Sequence, residues 1–144
     1  MLAVDVSENA LLKGRLLAVE RGVALRTEAA DLSTYVPDRD YDLIYSIGTV
    51  QYVAPGNRAR QFGRLKAATR PGGLNAVFVF VDHPDVPPAP DFEPDERPFA
   101  PGELRGYYEE WEILHERSFV FDDDSDGVPH EHAAEELIVR KPET

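Results

Sequence analysis

The chain alternates short apolar runs with stretches of helical periodicity. Residues 2–6 (LAVDV) form an apolar run ending near an acid and predict a strand. Ser7 stands where an N-cap belongs, with Glu8 in the first turn. Leu12, Leu16 and Val19 recur at helical spacing with Leu11 beside them, and Gly22 is a natural stop. An amphipathic helix is therefore predicted over 8–21. Residues 23–29 (VALRTEA) predict a second strand, closed by Asp31 and a polar loop to Arg39. Asp40-Tyr41-Asp42 leads into Leu43–Ile47, an apolar run of the kind buried on both faces of a parallel sheet. After a loop around Gly48 and Pro55-Gly56-Asn57, residues 58–69 carry Ala59, Phe62, Leu65 and Ala68 on one helical stripe. Arg70-Pro71-Gly72-Gly73 is read as the end of that helix. Residues 74–81 (LNAVFVFV) are the strongest strand pattern in the chain.

The stretch 83–101 is different, holding 7 of the 12 prolines. It reads as one extended surface segment, and a loop of this length is usually a functional lid or a disordered excursion. Residues 102–108 predict a short helix. Residues 111–121 and 133–140 predict two strands, paired as a hairpin across the acidic turn 122–127. The order is β-α-β, β-α-β, a long loop, a short helix and a hairpin. That order predicts an α/β fold: a mostly parallel sheet with helices on both faces and an antiparallel C-terminal edge.

Length, 144 residues, fits one domain over 1–144. The net charge of -12 argues against nucleic acid or an anionic membrane surface as partner, since both select cationic surfaces. Cysteine is absent, which excludes a disulfide framework, a thiolate metal site and a cysteine nucleophile. No apolar run approaches the roughly 20 residues of a membrane helix, and no signal-peptide pattern opens the chain. A cytoplasmic location is the expectation. Arginine outnumbers lysine 12 to 3. An acidic surface poor in lysine fits either adaptation to high salt or a GC-rich genome.

In an open parallel sheet, ligands bind beyond the carboxyl ends of the strands. That rule selects Asp5, Asp31, Ser46-Ile47-Gly48 and Asp82-His83. Asp5 can accept hydrogen bonds from a ribose diol or help cap the helix beginning near Ser7. Asp31 can accept from an adenine amino group or make an Asx turn, and the turn is favoured. His130 and His132 lie two apart, on one face if extended, close to Asp122, Asp123, Asp124 and Asp126. Two such imidazoles can hold a divalent metal, but a solvated hairpin end is the expected reading and no metal is assigned. Both can also act as acid/base or anion-binding groups. Tyr107, Tyr108 and Trp111 read as core packing. Ser46 lacks the glycines of a nucleophile elbow, which argues against a serine hydrolase.

Taken in order, these residues resemble a class I S-adenosylmethionine-dependent methyltransferase. AVDVSENAL (3–11) is similar to that family's second strand and helix, AADL (29–32) to its adenine-side loop, and DYDLIYSIGTVQYV (40–53) to its fourth strand and acceptor loop. RPGGL (70–74) with NAVFVFVD (75–82) is similar to its glycine turn and fifth strand. RPFAPGELRGYYEEWEILHE (97–116) resembles the C-terminal segment of the tellurite-resistance, TehB-type branch.

The resemblance implies a Rossmann-like fold and S-adenosylmethionine as cofactor. It implies cofactor contacts from Asp5, Val6, Asp31, Leu32, Ser46 and Ile47, and acceptor-side roles for Tyr52, His83, His130 and His132. The implied function is methyl transfer to a small molecule, such as tellurite or a thiol-like acceptor, with 83–101 as a lid. The family's first strand and glycine-rich loop have no counterpart before residues 3–11, so a chain lacking about one βα unit is expected. Three consequences are open: strands 2–6 and 43–47 pair directly, a second copy completes the sheet as a homodimer, or the natural protein is longer. The alternative function is a non-catalytic, partner-binding remnant or half of a split enzyme.

Overall fold

The computed structural model describes all 144 residues. They form two compact units, residues 1–35 and 36–144.

In the first unit, β1 (Leu2–Asp5) and β2 (Arg26–Ala29) pair in parallel, from Leu2↔Arg26 to Asp5↔Ala29. The helix α1 (Glu8–Glu20) joins them. Ser7 is extended, and its Oγ accepts the Ala10 N–H at 3.2 Å, satisfying one of the free donors of the first turn. At the other end Gly22 adopts φ +64°, and the Val23 N–H donates to Ala18 O at 2.8 Å. That cap engages the backbone of Val23, so β2 begins at Arg26, three residues later than the sequence pattern predicts. Leu11 and Ala18 are the buried residues of α1, whereas Leu12, Leu16 and Val19 are exposed. The buried line thus lies one residue around the helix from the stripe that periodicity picked out.

The second unit is a four-stranded sheet in the order β3-β4-β6-β5: β3 (Tyr41–Ile47), β4 (Thr69–Phe80), β5 (Glu112–Asp123) and β6 (His130–Arg140). β3 and β4 are parallel, and β6 is antiparallel to both β4 and β5. β3 pairs on one side only, and Leu43, Tyr45 and Ile47 on one of its faces are 53%, 65% and 55% exposed. The expectation of burial on both faces is therefore corrected. Within their own sheets, the ladder partner of β1 is β2, and that of β3 is β4.

A short 3₁₀ turn (Val50–Tyr52) precedes the helix α2 (Pro55–Ala67). Pro55 opens the helix rather than belonging to the loop, since the fixed φ of proline suits a first turn whose N–H groups lack partners. The Arg70-Pro71-Gly72-Gly73 stretch is likewise part of β4 rather than a simple helix stop. Tyr41 pairs with Thr69 and Leu43 with Leu74, so the extra residues form a bulge. Gly72 has φ +74°. A Cβ on Gly73 would lie 2.9 Å from Arg70 O and 3.0 Å from Asp42 O, so a close backbone approach requires glycine there.

The core of this unit lies where α2 meets the sheet and the short helix α3 (Glu103–Gly106). Phe62 stacks on Tyr107 at 4.4 Å and meets Phe99 and Tyr108 edge-on. Tyr108 and Trp111 are buried, as the core reading of that aromatic cluster expects. The Pro-rich stretch is not wholly on the surface. Phe99 bridges to Val81 and is fully buried, and Ala89 is buried too. The whole is an α/β, Rossmann-like arrangement of parallel pairs with a C-terminal antiparallel hairpin. No helix is long and apolar enough to cross a membrane.

Candidate functional site

The parallel pairing places two acids at one edge of the first unit. Asp5 ends β1, and Asp31 lies two residues past β2. Asp5 Oδ1 accepts the Ser7 N–H at 2.8 Å, leaving Oδ2 open. The capping role and an open acceptor therefore coexist in one carboxylate. Asp31 Oδ1 accepts both the N–H and the hydroxyl of Ser33, and these bonds lower its pKa. The Asx-turn reading is realised, again with one oxygen free. Val6 beside Asp5 is exposed, and Leu32 is half-buried.

In the second unit, β3 and β4 run in parallel, so Ser46 and Ile47 lie at the same edge as Asp82 and His83. Ser46 Oγ is buried without a hydrogen-bond partner. Ile47 is exposed. Tyr52 sits in the 3₁₀ turn, and partial burial followed by the charge of Glu96 raises its pKa. His83 is half-buried, and its Nδ1 accepts the Asp85 N–H at 3.2 Å.

β6 enters this edge from the opposite direction and carries His130 and His132 on one face. Across the hairpin, Asp123 faces His130 and Phe121 faces His132. The two Nε2 atoms are 3.0 Å apart. Asp91, from the Pro-rich segment, reaches both: Oδ1 is 3.1 Å from His130 Nε2, and Oδ2 is 3.4 Å from His132 Nε2. Asp123 Oδ2 is 3.6 Å from His132 Nε2. His130 Nδ1 lies 2.6 Å from Val128 O, which raises the pKa of the ring despite partial desolvation, with Asp91, Asp126 and Asp123 adding to the effect. His132 is walled by Phe80, Phe92 and Phe121, and its side chain is 1% exposed. The solvated hairpin end expected of this pair is thus corrected to a buried one, because the Pro-rich segment folds over it.

The structure gathers His130 and His132 with Asp123, while His83 and Tyr52 stand apart from that group. Sequence reasoning missed Asp91 and Phe92. Neither stands at a telling spacing from the histidines, and only the course of the loop brings them there. An open cleft of about 770 Å³ borders the group, lined by prolines of the loop and by Asp122–Asp124 and His130.

A family model described as tellurite resistance protein TehB matches residues 3–123. A curated relative, hemagglutinin 1 of Eikenella corrodens, is 29% identical over 143 residues, 97% of this chain and 47% of its own length. TehB from Haemophilus influenzae superposes with a TM-score of 0.83 at 22% identity, covering 97% of this chain and 49% of that one. The N-methyltransferase NodS from Bradyrhizobium japonicum, in complex with S-adenosyl-L-homocysteine, gives 0.70 at 14% identity over 98% of this chain and 66% of its own. The chain spans about half the length of the TehB structure and of the curated relative. With the family match covering most of its residues, the chain belongs to the tellurite resistance protein TehB family, and its fold is that of these methyltransferases.

Proposed function

We propose that this chain serves S-adenosylmethionine-dependent methyl transfer to a small-molecule acceptor, an oxyanion of the tellurite kind or a thiol-like group. The observation that carries the reading is Asp5: an acid ending a strand that feeds a helix, with one oxygen held by Ser7 and the other open. The free oxygen suits a ribose diol, and that of Asp31 suits an adenine amino group, with Val6 and Leu32 flanking them. In the second unit, the orphaned Ser46 Oγ and the exposed Ile47 are the cofactor-side candidates that the family resemblance implies.

Bound S-adenosylmethionine supplies an activated methyl group. The remaining work is positioning, exclusion of water and removal of an acceptor proton. His130 and His132, ring nitrogens facing one another, suit that proton, with His83 and Tyr52 on the acceptor side and 83–101 as lid. The acidic surface supports work in a salt-rich cytoplasm.

Isothermal titration with S-adenosylhomocysteine tests this. One site per chain is expected, weakened about tenfold or more in Asp5→Ala, the usual loss for hydrogen bonds to a charged group. Absence of heat at high micromolar ligand overturns catalysis by this chain alone.

A second reading rests on the ladders. β1 and β3 each have one pairing partner, and such free edges favour strand addition. The chain would then act as a partner-binding module, half of a split enzyme, or one subunit of a homodimer. A monomer at high concentration that gains no cofactor binding from an added N-terminal βα segment overturns this reading.

A further inference from the structure

The cluster at the start of β6 carries a second inference, in which the Nε2 atoms of His130 and His132 hold a metal in place of taking an acceptor proton. Asp91, Asp123, His130 and His132 each offer one donor atom, and the four atoms lie within 4.8 Å of one another. Four donors at about 2.0–2.1 Å from a tetrahedral zinc ion lie roughly 3.3 Å from each other. The His130–His132, His130–Asp91 and His132–Asp123 separations, 3.0, 3.1 and 3.6 Å, lie near that edge, and the second Asp91 oxygen is 3.4 Å from His132 Nε2.

The arrangement suits a cation at its centre. In the neutral tautomer that donates from Nδ1 to Val128 O, the His130 Nε2 lone pair points inward. His132 Nε2 and two carboxylates point at the same place. Lone pairs and negative charges so disposed repel unless a positive charge lies among them. Two imidazoles with two carboxylates also balance a divalent ion in charge.

We propose that Asp91, Asp123, His130 and His132 form a divalent-metal site of the zinc class. Two nitrogen donors disfavour calcium and magnesium, which take oxygen sets. Phe80, Phe92 and Phe121 form the apolar wall that holds the His132 ring. His132 Nδ1 has no polar partner, and the lack of such outer support costs about 10- to 100-fold in affinity relative to a fully supported site. Because Asp91 belongs to the Pro-rich segment and the other three to the hairpin, the metal pins that segment over the end of β6.

The test uses the chain stripped with chelator and dialysed, with no methyl donor present. Titration with zinc chloride at neutral pH should give one site per chain. Cobalt(II) should give the intense visible bands of four-coordinate geometry. Metal should slow proteolytic cleavage within 83–101. Asp91→Asn, an exposed loop position, and His130→Gln should each weaken zinc binding about tenfold or more, while His115→Gln, outside the cluster, should not. Circular dichroism and melting of the stripped variants confirm that they fold. A stoichiometry far below one, octahedral cobalt spectra, or affinity unchanged in Asp91→Asn and His130→Gln overturns the site. Because the readout is metal alone, its failure is distinct from failure of the methyl-transfer reading.

Discussion

Arg58 and Glu103 are 45 residues apart in sequence and meet as a two-pronged ion pair, with Arg58 Nη1 3.0 Å from each carboxylate oxygen. The arginine side chain is 1% exposed and the glutamate 24%. Arg58 also donates to Val53 O and Arg97 O, and its guanidinium lies 3.8 Å from the centre of the Phe99 ring. Glu103 in turn accepts the Ala100 N–H and the Tyr107 hydroxyl. The pair ties α2 to the exit of the Pro-rich segment. Replacing Glu103 with Gln or Ala leaves a buried guanidinium without its counter-charge, and such losses cost about 3–5 kcal/mol. Denaturant unfolding should show a drop of that order for Glu103→Ala, with a smaller one for Glu103→Gln. A change within experimental error would remove the pair from the sources of stability.

The same pair sets an acid limit. Burial pushes the Glu103 carboxyl upward, but the Ala100 N–H, Arg58 and the Tyr107 hydroxyl outweigh it, and the net pKa is lowered. A carboxyl whose folded pKa is depressed contributes fully above its unfolded value, about 4.3, and loses that contribution as pH falls through the folded one. Stability of the wild type should therefore decline below about pH 4, and Glu103→Gln should flatten that part of the curve. Tyr107 mirrors this at high pH. Burial and the adjacent Glu103 push its hydroxyl up to about 12, so its absorbance should titrate late.

Gly73 gives a steric prediction. Alanine there would press a methyl against Arg70 O and Asp42 O, both backbone atoms with little room to yield. A destabilisation of about 1–3 kcal/mol is expected for Gly73→Ala by chemical denaturation. Gly63→Ala, on α2 with open space around it, should be neutral or stabilising.

The residues behind these predictions show where the sequence was readable. Ser7, Gly22 and the 74–80 run act locally, through a cap, a left-handed turn and β-branched alternation, so their elements follow from neighbouring residues. The bulge at 70–73 has proline and glycine signals shared with a helix stop, and only the pairing with β3 tells the two apart. Burial was the least legible property. Leu12, Leu16 and Leu43 carry the pattern of core residues yet are exposed, because coverage depends on what packs from outside the element. In the candidate site, Asp5 and Asp31 were picked out by position at strand ends, and the His130/His132 pair by its spacing beside an acidic run. Asp91 was not, because a loop contact leaves no period in the sequence.

Ser7 offers a local check on the first unit. Its Oγ caps α1, and the same turn fixes the Asp5 carboxylate through the Ser7 N–H. Ser7→Ala should cost about 1 kcal/mol of stability, the usual value of an N-cap, while leaving the backbone N–H in place for Asp5. If Asp5 holds a ribose, Ser7→Ala should leave cofactor affinity within about twofold, and Asp5→Ala should reduce it sharply. Equal losses in both variants would mean that Asp5 acts through the helix start rather than on the ligand. The two titrations, read beside the two melting curves, separate a binding carboxylate from a capping one.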